Sequence, residues 1–420
     1  MTPLLRRLNH DQIAPRRGGA VDPETLRAAA GIVEDVHRGG EPALRAHAER
    51  LGDLQAGEPV FLDPDDLRQS LRAISPNDRG VLERTAARIA AFAEAQRASL
   101  STVEMCIGGG TVSHRIAPVE RAGCYAPGGR FPLPSSALMT AVTARASGVR
   151  QVWIASPRPA AVTRAAAAIA GADGLLCAGG AQAIAALAYG CGPIPACDIV
   201  VGPGNRWVTA AKQVISADAG IDMLAGPSEL LIIADDSADP ATIAADLLAQ
   251  AEHDDDAIPM LIVLDEAVIA HVELALREQL ADLSTRATAA AALRNGFVVR
   301  ARDLDEALAH SDRIAPEHVQ LSIRDAEEVA PRLRHYGALF IGEKSAEVFG
   351  DYGAGPNHVL PTGGTARIRA GLSVMTFLRF QTQLRIDDRA GAREIIDDAI
   401  ALARMEGLEG HARSAERRRC

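Results

Sequence analysis

Three short stretches of the chain carry side chains that could do chemistry. Gln250-Ala-Glu-His253 sets an amide and an imidazole three residues apart, which a helix would place on one face. Gln250 falls at the edge of the Ile243/Leu247 apolar stripe, so the pair points toward the interior or a cleft and needs partners there. A metal ion could supply them, since His is a common zinc ligand. Spacing alone favours the plainer alternative, a hydrogen-bonded polar helix end, because Gln is an uncommon ligand. Ala315-Pro-Glu317-His318 sets a carboxylate beside an imidazole. Such a pair can take and return a proton near neutral pH, although a lone Glu-His dipeptide is common by chance. Residues 349–367 hold too many Gly and Pro for a regular element and read as one long loop; long ordered loops are often functional. Asp351 and His358 within it are candidate ligands or substrate contacts, or else ordinary turn formers. Gln250, His253, Asp351 and one further His would make a nitrogen and oxygen set suited to zinc.

The nucleotide signal is weaker. No G-x-G-x-x-G follows a strand. Gly202-Pro-Gly-Asn205 does follow an apolar run and opens a helix, where backbone N–H groups can receive a phosphate. Tyr125-Ala-Pro-Gly-Gly129 is a second Gly-rich candidate. Either could be a tight turn and nothing more.

The elements that must carry these residues alternate. Short apolar runs at 152–155, 175–177, 198–201, 230–234, 260–264, 297–299 and 338–341 read as strands. Helical stretches fall between them, at 181 onward, 205–216, 240–253 and 266–280. Such alternation marks βαβ units and parallel sheets. Residues 1 to about 110 are expected to be mostly helical, with apolar spacing clearest over 81–97, and the chain from about 387 to its end also reads as helix. The expectation is two α/β domains with helical ends.

Bulk composition narrows the function classes. Nearly half the residues are apolar but only 3% aromatic, so Ala, Val, Leu and Ile must fill the core. A net charge of −10 argues against non-specific nucleic-acid binding. The Arg-rich tail, 413–419, reads as a solvated helix end. None of the six cysteines forms a C-x-x-C pair, so neither a zinc finger nor a disulfide framework is indicated, which suits a reducing cytoplasm. Residues 1–17 lack the apolar core of a secretory signal. The uncharged stretch 174–197 is broken by Gly and Pro and reads as buried core, not a membrane span.

Taken together, the motifs resemble those of the histidinol dehydrogenase family. The resemblance runs from about Val33 to His411. It rests on Tyr125-Ala-Pro-Gly-Gly129, Gly179-Gly-Ala-Gln182-Ala-Ile-Ala-Ala-Leu187, Val201-Gly-Pro-Gly-Asn205 and Ala225-Gly-Pro-Ser228-Glu. Further along come Leu247-Leu-Ala-Gln250-Ala-Glu-His253-Asp, Ile314-Ala-Pro-Glu317-His318, Gly350-Asp351-Tyr, Asn357-His-Val-Leu-Pro-Thr362 and Glu406-Gly-Leu-Glu-Gly-His411.

The resemblance implies an NAD-dependent enzyme that binds zinc and oxidises L-histidinol through L-histidinal to L-histidine. By the family's pattern Gln250, His253, Asp351 and His411 are zinc ligands, and Glu317 and His318 the catalytic pair. Ser228, Glu406, His318, His358 and the ligand side chains would contact substrate; Tyr125, Gln182 and Asn205 would contact NAD. It further implies a cytoplasmic homodimer with shared sites, Glu406 and His411 reaching the partner's pocket. The fold class implied is two Rossmann-like parallel-sheet domains plus helical terminal segments. The expected division is 1–30 as N-terminal helix, 31–124 with 229–375 as the domain bearing zinc and the catalytic pair, 125–228 as the NAD domain, and 376–420 as the arm. Thr143, Ser311 and Thr376 depart from the family pattern, and Arg130 adds a cation beside the second Gly-rich loop. These leave open a relative acting on another small polar alcohol, such as a sulfonated diol. A zinc hydrolase is disfavoured, because four protein ligands leave no open position for a metal-bound water.

Overall fold

A computed structural model describes residues 3–15, 21–128 and 131–419; Gly129 and Arg130 lie outside the described residues. Two six-stranded sheets and one three-stranded sheet form among them. Sheet I runs Arg6–Arg7, Phe297–Arg300, Ile258–Val263, Glu229–Ala234, His318–Ser322, Ala338–Ile341, every pair parallel. Its central strands, Glu229–Ala234 and Ile258–Val263, are buried along their whole length. Continuous apolar runs suit a parallel sheet covered on both faces. The helix Pro240–Ala251 starts where expected: the Asp239 side chain accepts from Ala241 N and Thr242 N, and Pro240 fills the first helical position.

Sheet II runs Phe61–Leu62, Gly174–Leu176, Gln151–Ala155, Arg121–Tyr125, Ile199–Val201, Gly220–Ile221, parallel except for the first pair. The chain moves outward from Arg121–Tyr125 in one direction, then returns to its other side at Ile199–Val201. That reversal opens the crevice where α/β sheets bind ligands. Alanines of the helices Pro134–Ala146 and Gly180–Tyr189 are fully buried against the sheet. Small side chains let these helices pack close, which is how a core poor in aromatics fills.

The mixed α/β class with parallel sheets agrees with the expectation; three details correct it. First, residues 31–124 do not pack with sheet I. Val33, Val36, Leu44, Leu67, Leu82 and Ile89 join the core of sheet II. Second, the terminal segments expected to be helical also carry strands: Arg6–Arg7 joins sheet I, and Leu378–Ile386 pairs with Gly110–Pro118, itself paired with Val103–Ile107, in an antiparallel sheet III. Third, the C-terminal helix is two helices, Arg393–Met405 and Glu409–Glu416. Gly407, at φ 75°, breaks them apart.

Candidate active site

The backbone of one residue of sheet I holds Glu317 and His318. The helix Leu304–Ile314 ends at Ala315, whose left-handed backbone (φ 51°) turns the chain into the strand His318–Ser322. That strand pairs with Glu229–Ala234 in the register His318 to Leu230. Glu229 therefore lies beside the pair. Its backbone N–H donates to Glu317 Oε2 at 2.8 Å, and its carbonyl accepts from His318 Nδ1 at 2.9 Å. A carbonyl can only accept, so Nδ1 carries the proton and Nε2 holds the lone pair in neutral His318. Burial pushes the Glu317 carboxyl up to about 8, against the pull of His318 and of the Glu229 N–H. Burial resists charge on His318, but Glu317, Glu347 and Asp351 outweigh it and raise its pKa. A carboxyl held near neutrality beside an imidazole with a free Nε2 suits proton transfer.

Beside the pair lies a polar group that the protein does not satisfy internally. Asp351 ends a short helix, Glu347–Asp351, rather than lying in an open loop. His253 stands just past the end of Pro240–Ala251. Its Nε2 is 3.3 Å from Asp351 Oδ2 and 3.7 Å from Glu347 Oε1. Burial opposes charge on His253, yet the two carboxylates outweigh it and raise its pKa. Asp351 is buried, which would raise its pKa, but His253 and the imidazoles of His318 and His358 bring it below the usual range. His318 Nε2 lies 3.8 Å from Asp351 Oδ1, so the two groups share a boundary. Gln250 is fully buried and neither atom of its amide has a hydrogen-bond partner. Oxygen and imidazole donors around orphaned polar atoms fit a zinc ion.

Between the sheets, a cleft joins this machinery to the Gly-rich loop. Gly202, Pro203 and Gly204 line it on one side, and Ser228, Glu317, His358 and Thr362 on the other. His358 Nδ1 donates to the Asp351 carbonyl at 3.0 Å. Its Nε2 therefore accepts from Ser136 Oγ, 3.3 Å away on the sheet II side. Burial lowers the pKa of His358 and keeps it neutral.

The remaining expected residues fall in two places. Tyr125, Gln182 and Asn205 stand at the strand ends of sheet II, and each side chain already has a partner. Tyr125 Oη accepts from Gly180 N at 3.3 Å, and Gln182 Nε2 donates to Asp53 Oδ2 at 3.0 Å. Asn205 Oδ1 caps the helix Arg206–Ile215 by accepting from Trp207 N and Val208 N. Gln182 Oε1 is buried and unpartnered. Glu406 and His411 are exposed and line a separate groove on the C-terminal helix pair with Leu402, Leu408 and Arg418. A single chain does not bring His411 to Gln250, His253 and Asp351.

Sequence reasoning missed Glu347, Asp53 and Ser136. Glu347 had a findable signal, its four-residue spacing to Asp351, hidden because the segment read as loop. None of the three departures lines the cleft. Thr143 Oγ1 accepts from Asn357 and donates to Met139 O; Thr376 Oγ1 accepts from Ser373 N; Ser311 is buried in a helix.

The family model for histidinol dehydrogenase matches residues 16–419. A histidinol dehydrogenase of Thermus thermophilus is 45% identical over 409 residues, covering 96% of this chain and 97% of its own. One from Halobacterium salinarum is 44% identical, covering 93% and 92%. A solved histidinol dehydrogenase from Elizabethkingia anophelis superposes with TM-score 0.92 at 28% identity, over 100% of this chain and 98% of that one.

Proposed function

The chain belongs to the histidinol dehydrogenase family, and from that premise we propose how its own residues oxidise histidinol, through the aldehyde, to histidine. The observation that carries the reading is the joint hold of the Glu229 backbone on Glu317 and His318, beside a partly buried donor group. When bound, zinc supplies a Lewis-acid anchor for the substrate's nitrogens and NAD the hydride acceptor. Gln250, His253 and Asp351 would hold the zinc. With its Nδ1 proton held by the Glu229 carbonyl, neutral His318 keeps Nε2 as acceptor.

His318 Nε2 then takes the hydroxyl proton as the alcohol carbon gives up hydride. Glu317 is fixed through Oε2, which leaves Oε1 to accept a proton from the water that adds to the aldehyde. The proton on His318 passes to the aldehyde oxygen, which completes the hydrate and frees Nε2. The hydrate then loses a hydroxyl proton to His318 and a hydride to a second NAD, giving the carboxylic acid, which ionises to the carboxylate. Ser228 and His358, on the cleft wall, orient the substrate. Tyr125, Gln182 and Asn205 mark the NAD side, at the crevice of sheet II.

The active unit is a homodimer in which Glu406 and His411 complete the partner's site. Two observations support it. His411 stands apart from the donor group it would join. Leu402, Met405, Phe380 and Leu384 leave an uncovered apolar face on the C-terminal helices and sheet III, and a face of that kind marks an interaction surface. Among the described residues no helix is long and apolar enough to cross a membrane.

The test is NADH formation with histidinol, read together with the product. Two NADH and one histidine per histidinol are expected. NADH formed only with another alcohol, or histidinol consumed without NADH, overturns the reading.

A further inference from the structure

The Glu347 carboxylate is not explained by the roles above. Its residue is 1% exposed, and neither of its oxygens has a hydrogen-bond donor. The helix it opens packs against Pro240–Ala251, which carries Gln250. Its nearest basic atom is His253 Nε2, at 3.7 Å, and that imidazole lies closer to Asp351. Buried carboxylates without partners are rare in folded proteins, and each needs a physical account. Protonating His253 answers only one of the two negative charges. A divalent cation answers both, and it also takes Gln250 Oε1, the other orphaned acceptor in the group.

We propose that Glu347 is a ligand of the same divalent cation as Gln250, His253 and Asp351, so that one chain carries a four-donor set before any second copy adds His411. The proposal rests on the metal reading above. It has a consequence for assembly: metal can load onto an unpaired chain, and the partner's contribution adjusts a site that already exists. Glu347 and Asp351 lie one helical turn apart on a short helix, so loading metal also pins that helix to the end of Pro240–Ala251. The two carboxylates cancel the charge of a divalent ion, which leaves the buried site neutral.

The experiment uses metal-free full-length protein and measures zinc affinity by competition with a chromogenic chelator, with no turnover involved. Wild type, Glu347→Gln, Asp351→Asn and His411→Ala are compared. Glu347→Gln is expected to weaken zinc by about 100-fold or more, because outer-shell partners alone are worth roughly 10- to 100-fold. His411→Ala should cost less, within about tenfold, since the chain-internal donors remain. Melting curves give a second reading of opposite sign. Metal-free Glu347→Gln should melt higher than metal-free wild type, because a buried carboxylate with no hydrogen-bond donor is gone, while its gain on adding zinc should shrink.

Zinc bound to Glu347→Gln within about threefold of wild type overturns the proposal. A raised KM for histidinol in that variant, with zinc affinity intact, also overturns it and moves the carboxylate onto the substrate's ammonium group. Loss of zinc in Asp351→Asn alone leaves the metal reading standing and sinks only the role of Glu347. A wild-type protein that takes up no zinc sinks both.

Discussion

Lys212→Met should be among the most damaging substitutions outside the Glu317–His318 pair. Lys212 lies on the helix Arg206–Ile215 and forms an ion pair with Asp222; their side chains are 3% and 0% exposed. The pair grips both polar groups of one residue. Lys212 Nζ donates to the Gly202 carbonyl at 3.0 Å, and Asp222 Oδ2 accepts from Gly202 N at 2.7 Å. Gly202 has φ 118°, and a Cβ there would lie 2.1 Å from the Tyr125 carbonyl oxygen. The loop is thus held by glycine stereochemistry and by the pair together. Removing one partner of a buried pair costs about 3–5 kcal/mol. Asp222 keeps the N–H groups of Gly202 and Met223, which pulls the loss toward ~3 kcal/mol, while the orphaned Gly202 carbonyl adds about 1–3. A net loss of about 4 kcal/mol is a large share of the roughly 5–15 that a domain has. At a urea slope of about 2 kcal/mol per molar, the midpoint should fall by ~2 M. Because Gly202–Gly204 line the cleft, KM for NAD should rise by about tenfold, with kcat in saturating NAD changed less. A midpoint within ~0.5 M of wild type, or a stability loss with KM for NAD unmoved, would refute the clamp.

Other outcomes follow from the same geometry. His318→Ala should lower turnover by roughly 10²–10⁴, and Glu317→Gln should harm aldehyde oxidation more than alcohol oxidation, since only the former needs activated water; equal losses in the two half-reactions contradict the division of labour. Chelation should abolish activity and lower the melting temperature, and a preparation free of metal by elemental analysis yet fully active would rule the zinc out. Mixing the inactive His318→Ala and His411→Ala proteins should restore about half the wild-type rate per mixed dimer, because one of its two sites is then intact. If subunit exchange is verified by mass and no activity returns, His411 does not act across the dimer.

Which parts of this molecule the sequence discloses depends on where the partners of each residue lie. Glu229–Ala234 and Ile258–Val263 are legible because their apolar runs are unbroken. The neighbouring strand His318–Ser322 is equally buried yet less legible, since Gln320 and Ser322 look solvent-facing. Inside the protein they bond each other, and Gln320 Nε2 donates to Asp246 Oδ2 at 2.6 Å. A buried polar network looks like a surface when only composition is read. Sheet III fails for another reason. Leu378–Ile386 is exposed along nearly its whole length, so its alternation has no core to face within one chain.

The pair Glu317–His318 shows the same limit from the functional side. A Glu-His dipeptide is weak evidence because nothing local says which nitrogen is free or whether the carboxylate is oriented. Both answers come from Glu229, 88 and 89 residues away, and only parallel register delivers it there. The N–H and carbonyl of one residue fix the carboxylate and the imidazole relative to each other. No side chain of Glu229 is needed for that, so substituting it would leave the two hydrogen bonds in place. What disturbs the pair is a shift of register between the strands at 229 and 318. The geometry of the pair is set by the sheet ladder, and that is why the dipeptide acquires meaning only after the sheet is built.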